Sequence, residues 1–436
     1  MSPHTAFRLP HICLPRPEID LRRWAVVACD QYTAEPEYWA RAEALVGEAP
    51  STLRLIFPEA HLEAPDAPAR VGRIQAAMRD YLARGLFDEL HGAVLVERTV
   101  DGRTRRGLML EIDLEHYDFS PTSTSRVRPT EGTIVARLAP RMAVRRDAPL
   151  ELPHILVLID DPGCTVIEPL ATARDRLTPL YEAELMLGGG HVAGHAVDRP
   201  LAESALDALA ALSRPEVFEP RHGVPPGTPP MLFAVGDGNH SLATAKAIWE
   251  QLKSDVGPDH PARWALVEVE NIHDPALHFA PIHRLLFGVK PGLLRALQAA
   301  FGPQARMLPV GSAQALRDRV AATPAPRQAF GVIEPGGRYT VLELPEPPAP
   351  LAVASLQPVI DRLVAEGAAA QVDYVHGDDV IERLGQVAGS AGFHVPTLGK
   401  HELLTRVVQG GPLPRKTFSM GEAHEKRYYV ECRRIA

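Results

Sequence analysis

The chain has little of what usually decides a class at a glance. Among 436 residues there are four cysteines, Cys13, Cys29, Cys164 and Cys432, with no C-x-x-C pair. That argues against a disulfide framework and against a thiolate zinc site, and fits a reducing compartment. No apolar run approaches the roughly 20 residues that cross a bilayer. The opening MSPHTAFRLP lacks a basic start followed by an apolar core, so a cytoplasmic protein with no membrane partner is expected. Positive charge is not in excess: 46 Lys and Arg face 54 Asp and Glu, a net charge of -8, which gives no reason to expect nucleic acid as partner. A small-molecule substrate is expected instead. There is also no repeat with a period of 20–50 residues and no low-complexity tail.

What is present is an ordinary globular composition in a chain long enough for two or three domains. The 42 prolines gather in RPEVFEPRHGVPPGTPP (214–230) and LPEPPAPLAVASLQP (344–358), where a fixed φ and a missing N–H oppose regular structure. Both read as surface connectors. They suggest an N-terminal α/β region over 1–215, a connector at 216–230 and a C-terminal α/β region over 231–436. WAVVAC, GAVLVERTV, GLMLEIDLE, TIVARLA, HILVLID and RWALVEVENI read as strands. PARVGRIQAAMRDYLARGLF, AESALDALAALS and PGLLRALQAAFG carry apolar residues at helical spacing, and FGVIEPGGRYTVLEL reads as a hairpin. The class is α+β, mixed sheets with packed helices.

The strongest chemical feature is FAVGDGNHSLATA. The apolar Met231–Val235 ends at a Gly-Asp-Gly-Asn-His turn, and Leu242, Ala245, Ile248, Trp249 and Leu252 then fall on one helical face. Asp237–Ser241 therefore sits where a strand becomes a helix, and unpaired N–H groups with the positive dipole end favour phosphate or carboxylate there. Asp237 is a candidate to hold a metal ion or accept a proton. His240 is a candidate to contact phosphate or shuttle a proton, and Ser241 to cap the helix or bind an anion. A plain tight turn, with Gly236 and Gly238 supplying dihedrals, explains the same residues. A dinucleotide fingerprint is not met, because Ser241 stands where a third Gly or Ala is needed, and G-x-x-x-x-G-K-[ST] does not occur at this turn.

Other candidates lie elsewhere. VACDQYTAEPEYW brings Asp30, Gln31, Tyr32 and Glu35 to a strand end, or else opens a helix with acids in its first turn. PTEGTIVARLAPRMAVRRD offers Glu131 among arginines. In HILVLIDDPG, Asp160 and Asp161 could gather Mg²⁺ with substrate phosphates or merely form a turn. His283-Arg284, read as preceding an apolar helix, and the loop with Arg415 and Lys416 are candidate anion contacts.

Together WAVVACDQYTAEPEYW, PHILVLIDDP, GDGNHSLATAK, ALVEVENIHDPALHFAPIHRLLF, VDYVHGDD and LPRKTFSMG resemble domain-of-unknown-function family 1015 over nearly the whole chain. Many of its members carry Asp-Gly-His-His-Arg where this chain has Asp237-Gly238-Asn239-His240-Ser241. That pattern is similar to the nucleotide-binding turn of the ParB/sulfiredoxin superfamily, which includes free serine kinases. The resemblance implies a ParB/sulfiredoxin-like core plus an additional α/β region, with Asp237 as a catalytic or metal-facing acid. Gly238, Asn239 and His240 would contact phosphates, and Glu35 or Glu131 would serve as base. It further implies Mg²⁺, ATP, ADP or pyrophosphate as donor, and free serine or another hydroxylated metabolite as acceptor. Ser241 departs from the superfamily Arg, so Arg284, Arg415 or Lys416 must replace that charge, or nucleotide binding is lost. The alternatives are a non-catalytic nucleotide or anion sensor and a metal-dependent phosphohydrolase built on Asp160, Asp161 and Asp237.

Overall fold

The computed structural model describes residues 6–436; residues 1–5, on which part of the reading of the N-terminus rests, lie outside it. The chain is α+β and forms two compact units. The first comprises residues 1–278, 400–412 and 420–436, and the second 279–399 and 413–419. The units thus divide after His278, not at the proline-rich 216–230. That connector contains the helix Pro215–His222, with Pro215 at its first position, where a missing N–H costs nothing. The strand after it joins the same sheet as strands before it, and sheet pairing holds the two flanks in one unit.

In the first unit the main sheet runs Val127–Pro129, Phe233–Asp237, Leu156–Ile159, Trp264–Asn271, Arg103–Asp113, Val94–Val100, Gly190–Ala196, Thr178–Leu185, with Phe7–Arg8 paired to Arg103–Asp113. Phe233–Asp237 is antiparallel to Leu156–Ile159, with Asp237 opposite Leu156. It leads directly into the helix Asn239–Val256, whose Leu242, Ala245 and Trp249 are buried in one cluster with Val157, Phe233 and Val267, and whose Ile248 is also buried. Burying such side chains stabilises by roughly 1.5–3 kcal/mol each, enough to fix the angle at which the helix leaves the strand. The C-terminal tail returns to this unit. The backbones of Cys432 and Cys13, both free thiols, form an isolated antiparallel β-bridge, as do those of Tyr428 and Val27, and Arg433–Arg434 pairs with Leu150–Glu151.

Three local expectations are corrected. WAVVAC is not a ladder strand: Leu21–Trp24 is a helix capped by Asp20, and only Val27 makes an isolated bridge. TIVARLA becomes a 3-10 turn and the helix Leu138–Arg145, because its Leu, Arg and Ala continue at helical spacing into PRMAVR. His283 and Arg284 lie within the strand Phe279–Phe287, not before a helix. Among the described residues no helix is long and apolar enough to cross a membrane.

The second unit is an antiparallel sheet in the order Arg306–Val310, Arg338–Leu344, Gln328–Glu334, Ser390–His394, Phe279–Phe287, Gln371–His376. The hairpin turns at Pro335-Gly336-Gly337 as read from the sequence. Leu293–Phe301 and Ala352–Ala365 cover one face and Ala313–Ala321 and Asp378–Gly385 the other, so alternate residues such as Phe330 and Ala329 enter different cores. His283 is fully buried, donates from Nε2 to Asp378 at 2.9 Å and accepts the Val395 N–H at Nδ1. His394 also meets Asp378, at 3.2 Å. These three could hold a metal by proximity alone, but a metal on Nε2 would drive the proton to Nδ1, where the Val395 N–H already points. The set reads as a hydrogen-bonded relay.

Burial holds the His283 imidazole below its ordinary range. The unfolded chain therefore takes up a proton near the usual 6.5 that the folded chain refuses. The stability this provides is complete above that value and falls with pH below it, by at most about 1.4 kcal/mol per pH unit. Urea midpoints measured at pH 7.5 and 5.5 should drop at the lower pH, and a His283→Gln chain should lose that part of the drop. An unchanged difference would refute the assignment.

Candidate functional site

The turn after Phe233–Asp237 is built for close approach. Gly238 adopts φ 79°, ψ 24° in the left-handed region and starts the helix. A Cβ there would stand 3.0 Å from the Ile155 Cα, and one at Gly236 would stand 2.5 Å from the Met420 sulfur. Gly238→Ala should therefore lose about 1–2 kcal/mol from the left-handed strain alone, more with the Ile155 contact, readable as a lowered denaturation midpoint. No loss would mean that the turn relaxes freely.

Asp237 accepts the Gly238 N–H at 2.9 Å through Oδ1, and its Oδ2 receives the Lys426 ammonium at 3.0 Å. Lys426 is one tenth exposed and comes from the returning tail. His240 accepts the Ile134 N–H at Nε2, which leaves its proton on Nδ1. The Oδ1 of Asn239 is buried without a hydrogen-bond partner. A buried amide left unpaired is costly, and a ligand group at the turn would relieve it.

The antiparallel register that sets Asp237 opposite Leu156 also brings the residues before Leu156 beside those after Asp237. His154 thereby meets Ser241, Oγ to Nε2 at 3.1 Å, while its Nδ1 lies 2.6 Å from the Tyr429 hydroxyl. Asp30 stands 3.8 Å from the same Nε2. Burial opposes the charge on Asp30, but His154, the Gln31 amide and Lys426 outweigh it and leave the carboxyl below its usual range. Ser241 and His154 open into a cleft of about 860 Å³. Its polar wall holds Glu59 ion-paired with Arg141, and its apolar wall includes Leu55, Phe57 and Met78. Burial, against the pull of Arg141, raises the Glu59 carboxyl. It also pushes the Cys29 thiol to about 12, so Cys29 is not a ready nucleophile.

Behind Asp237 the sheet buries a network of charges. Arg427 pairs with Glu268 and Glu431, both at 2.7 Å, Arg105 pairs with Glu270 at 2.5 Å, and the Tyr181 hydroxyl donates to Glu431. Burial first, with Glu268 second among the groups that raise it, carries Glu270 to about 8.

The residues anticipated from sequence fall into three groups. Asp237, Gly238, Asn239, His240 and Ser241 form the turn. Glu131 follows Thr130, whose hydroxyl donates to the Val235 carbonyl, so its loop adjoins the turn. Glu35 is exposed at the start of the helix Pro36–Val46, and from its loop it is Asp30 that meets His154.

Asp160 and Asp161 form the second group, and their carboxylates turn to different partners. Asp161 accepts the Thr165 and Val166 N–H groups of its own turn, at 2.5 and 2.9 Å, whereas Asp160 takes His273 at 2.7 Å. Adjacent side chains leaving an extended strand point apart. Among the described residues neither belongs to a three-ligand group. Arg284, Arg415 and Lys416 are the third group and belong to the second unit. Arg284 is fully buried there, donating to Gln357 and to the Ile282 carbonyl under the Tyr374 ring.

Sequence reasoning missed Lys426, His154 and Tyr429. His154 was visible only as the residue heading a strand, and Lys426 as one charge in EAHEKRYY; no local pattern ties either to a turn so distant in the chain.

Among solved structures, the chain is similar to a free serine kinase in complex with AMP, at 12% identity and a TM-score of 0.36 over 74% of this chain and 87% of that one. A conserved hypothetical protein from Pyrococcus furiosus gives 11% and 0.33 over 74% and 90%. SbnI with a C-terminal truncation, from Staphylococcus aureus, gives 12% and 0.32 over 70% and 82%. No curated protein matches the chain. The family described as "Protein of unknown function (DUF1015)" matches residues 11–365, and the chain belongs to it.

Proposed function

We propose that the cleft at the GDGNHS turn is the site of a small-molecule phosphotransferase, which moves a phosphoryl group from a nucleotide or pyrophosphate to a hydroxylated metabolite, free serine being the first acceptor to try. The observation that carries this reading is the convergence of three things at one strand end. They are a helix N-terminus opened by a left-handed glycine, the Asp237–Lys426 pair, and a cleft reached through Ser241 and His154. Phosphoryl transfer asks chiefly for positioning and charge neutralisation. The amides of residues 239–241 receive donor phosphate, and Lys426 supplies the cation that Ser241 does not. His154, held by Tyr429 and Asp30, takes the proton from the acceptor hydroxyl. Glu131 is the second candidate for that proton.

The residues suit Mg²⁺ that arrives with the donor phosphates rather than a resident metal. The two carboxylates at hand, Asp30 and Asp237, are both acted on by Lys426, and such an ion needs few protein ligands. When bound, it neutralises phosphate charge.

The test is phosphorus NMR of the purified protein with Mg²⁺, ATP, ADP or pyrophosphate, and serine or other hydroxylated metabolites. A new phosphomonoester signal is expected. Absence of transfer with every pair sinks the reading. Binding without turnover would make the site a sensor, and phosphate release without an acceptor would make it a phosphohydrolase.

A further inference from the structure

A second pocket stands apart from the cleft at Ser241 and shares no lining residue with it. It spans about 360 Å³, part of it open to solvent, and is faced by Arg98, Arg103, Arg105, His278, Gly421 and Glu425. Its chemistry begins in strand register. Val94–Val100 and Arg103–Asp113 are antiparallel, with Arg98 directly opposite Arg105 and Val100 opposite Arg103. Arg103 and Arg105, two apart, share the face of Arg98. Like charges set opposite each other across a ladder destabilise it unless something anionic intervenes.

Carboxylates answer two of the three arginines. Arg105 pairs with Glu270 at 2.5 Å and Arg103 with Glu425 at 3.1 Å. Glu425 is further committed to the Glu422 N–H. Arg98 has no such partner. It is 4% exposed, its Nη2 donates to the His424 carbonyl at 3.2 Å, and its Nε and Nη1 meet no acceptor. The Tyr428 ring, 5.0 Å from the guanidinium carbon, steadies the charge but leaves those donors unpaired. Burial, with Arg105 adding to it, holds the guanidinium down at about 10, because the nearby Glu268 and Glu425 make up only part of that cost.

We propose that this pocket is an anion site in which Arg98, with Arg103 and Arg105, receives a phosphate group. Three guanidiniums exceed the two carboxylates paired with them, Glu270 and Glu425, by one charge, and the unmet Nε and Nη1 of Arg98 offer donors to a tetrahedral anion. The group is inorganic phosphate or the phosphate of a small ester. The inference does not rest on the phosphotransferase reading, because the donors, the cavity and the strands that build it are different.

The experiment is calorimetric titration of the full chain, without added metal and at fixed ionic strength, with inorganic phosphate and with glycerol phosphate, using chloride as control. Saturable binding is expected, weakened at least tenfold in Arg98→Met and unchanged in Arg199→Ala, an exposed arginine at the start of the helix Arg199–Ala211. Tighter binding of glycerol phosphate assigns the pocket to esters, and equal binding to the free ion. Should Arg98→Met fail to fold, Arg103→Gln at the more exposed rim should weaken binding several-fold. Absence of binding beyond the chloride control overturns the proposal. So does wild-type affinity in the folded Arg98→Met or, failing that variant, in Arg103→Gln, and so does loss of binding in Arg199→Ala.

Discussion

An Asp237→Asn chain should lose phosphoryl transfer by at least about 100-fold while its circular dichroism and unfolding midpoint stay near those of the parent. The change keeps the side-chain shape and the acceptor toward the Gly238 N–H, but removes the charge that holds Lys426 at 3.0 Å. Lys426 is buried, but it keeps the charge of Asp30 nearby, so the loss costs the fold little. Catalysis is more sensitive, because an ammonium released from its carboxylate no longer points at the helix N-terminus. Lys426→Met should cause a loss of similar size, and the double variant should be scarcely worse than either single one, since both changes remove one unit. Full activity in Lys426→Met would refute its place as the substitute cation.

The second large effect concerns stability. Arg427 is 4% exposed and holds Glu268 and Glu431, which are themselves almost wholly buried. Arg427→Met should destabilise the first unit by about 3–5 kcal/mol, because two carboxylates lose their counter-charge inside the protein. Adding Glu268→Gln should recover part of that loss, since one of the stranded charges then disappears. A denaturant titration of parent, single and double variants reads both steps. A single variant as stable as the parent would mean that water reaches the network and that it does not brace the tail.

The tail that carries Arg427 also brings Lys426 and Tyr429 to Asp237 and His154, which is why the site is only half legible in the sequence. The strand, turn and helix of FAVGDGNHSLATA are written locally: apolar residues end at glycine, and apolar spacing resumes at helical period. The hairpin at Pro335-Gly336-Gly337 is equally local. The reading failed where neighbours override local preference. WAVVAC is β-rich, yet its segment lies buried against the tail, where only Val27 finds a bridge partner. The paired aspartates looked like a metal site because the sequence places them together, while strand geometry sends them to different partners.

By itself the sequence determined an α+β chain, a family, and one strand-to-helix turn whose residues suit an anion. Those properties depend on contacts between residues near in the chain, or on long strings that match as they stand. Which groups complete the turn was decided only by tertiary structure. His154 arrives through antiparallel register and Lys426 through a tail that folds back to the first unit. The buried face where Arg98 stands opposite Arg105 also exists only once two strands are paired. Sheet pairing joins residues by register rather than by spacing, and register is settled by burial across the whole unit.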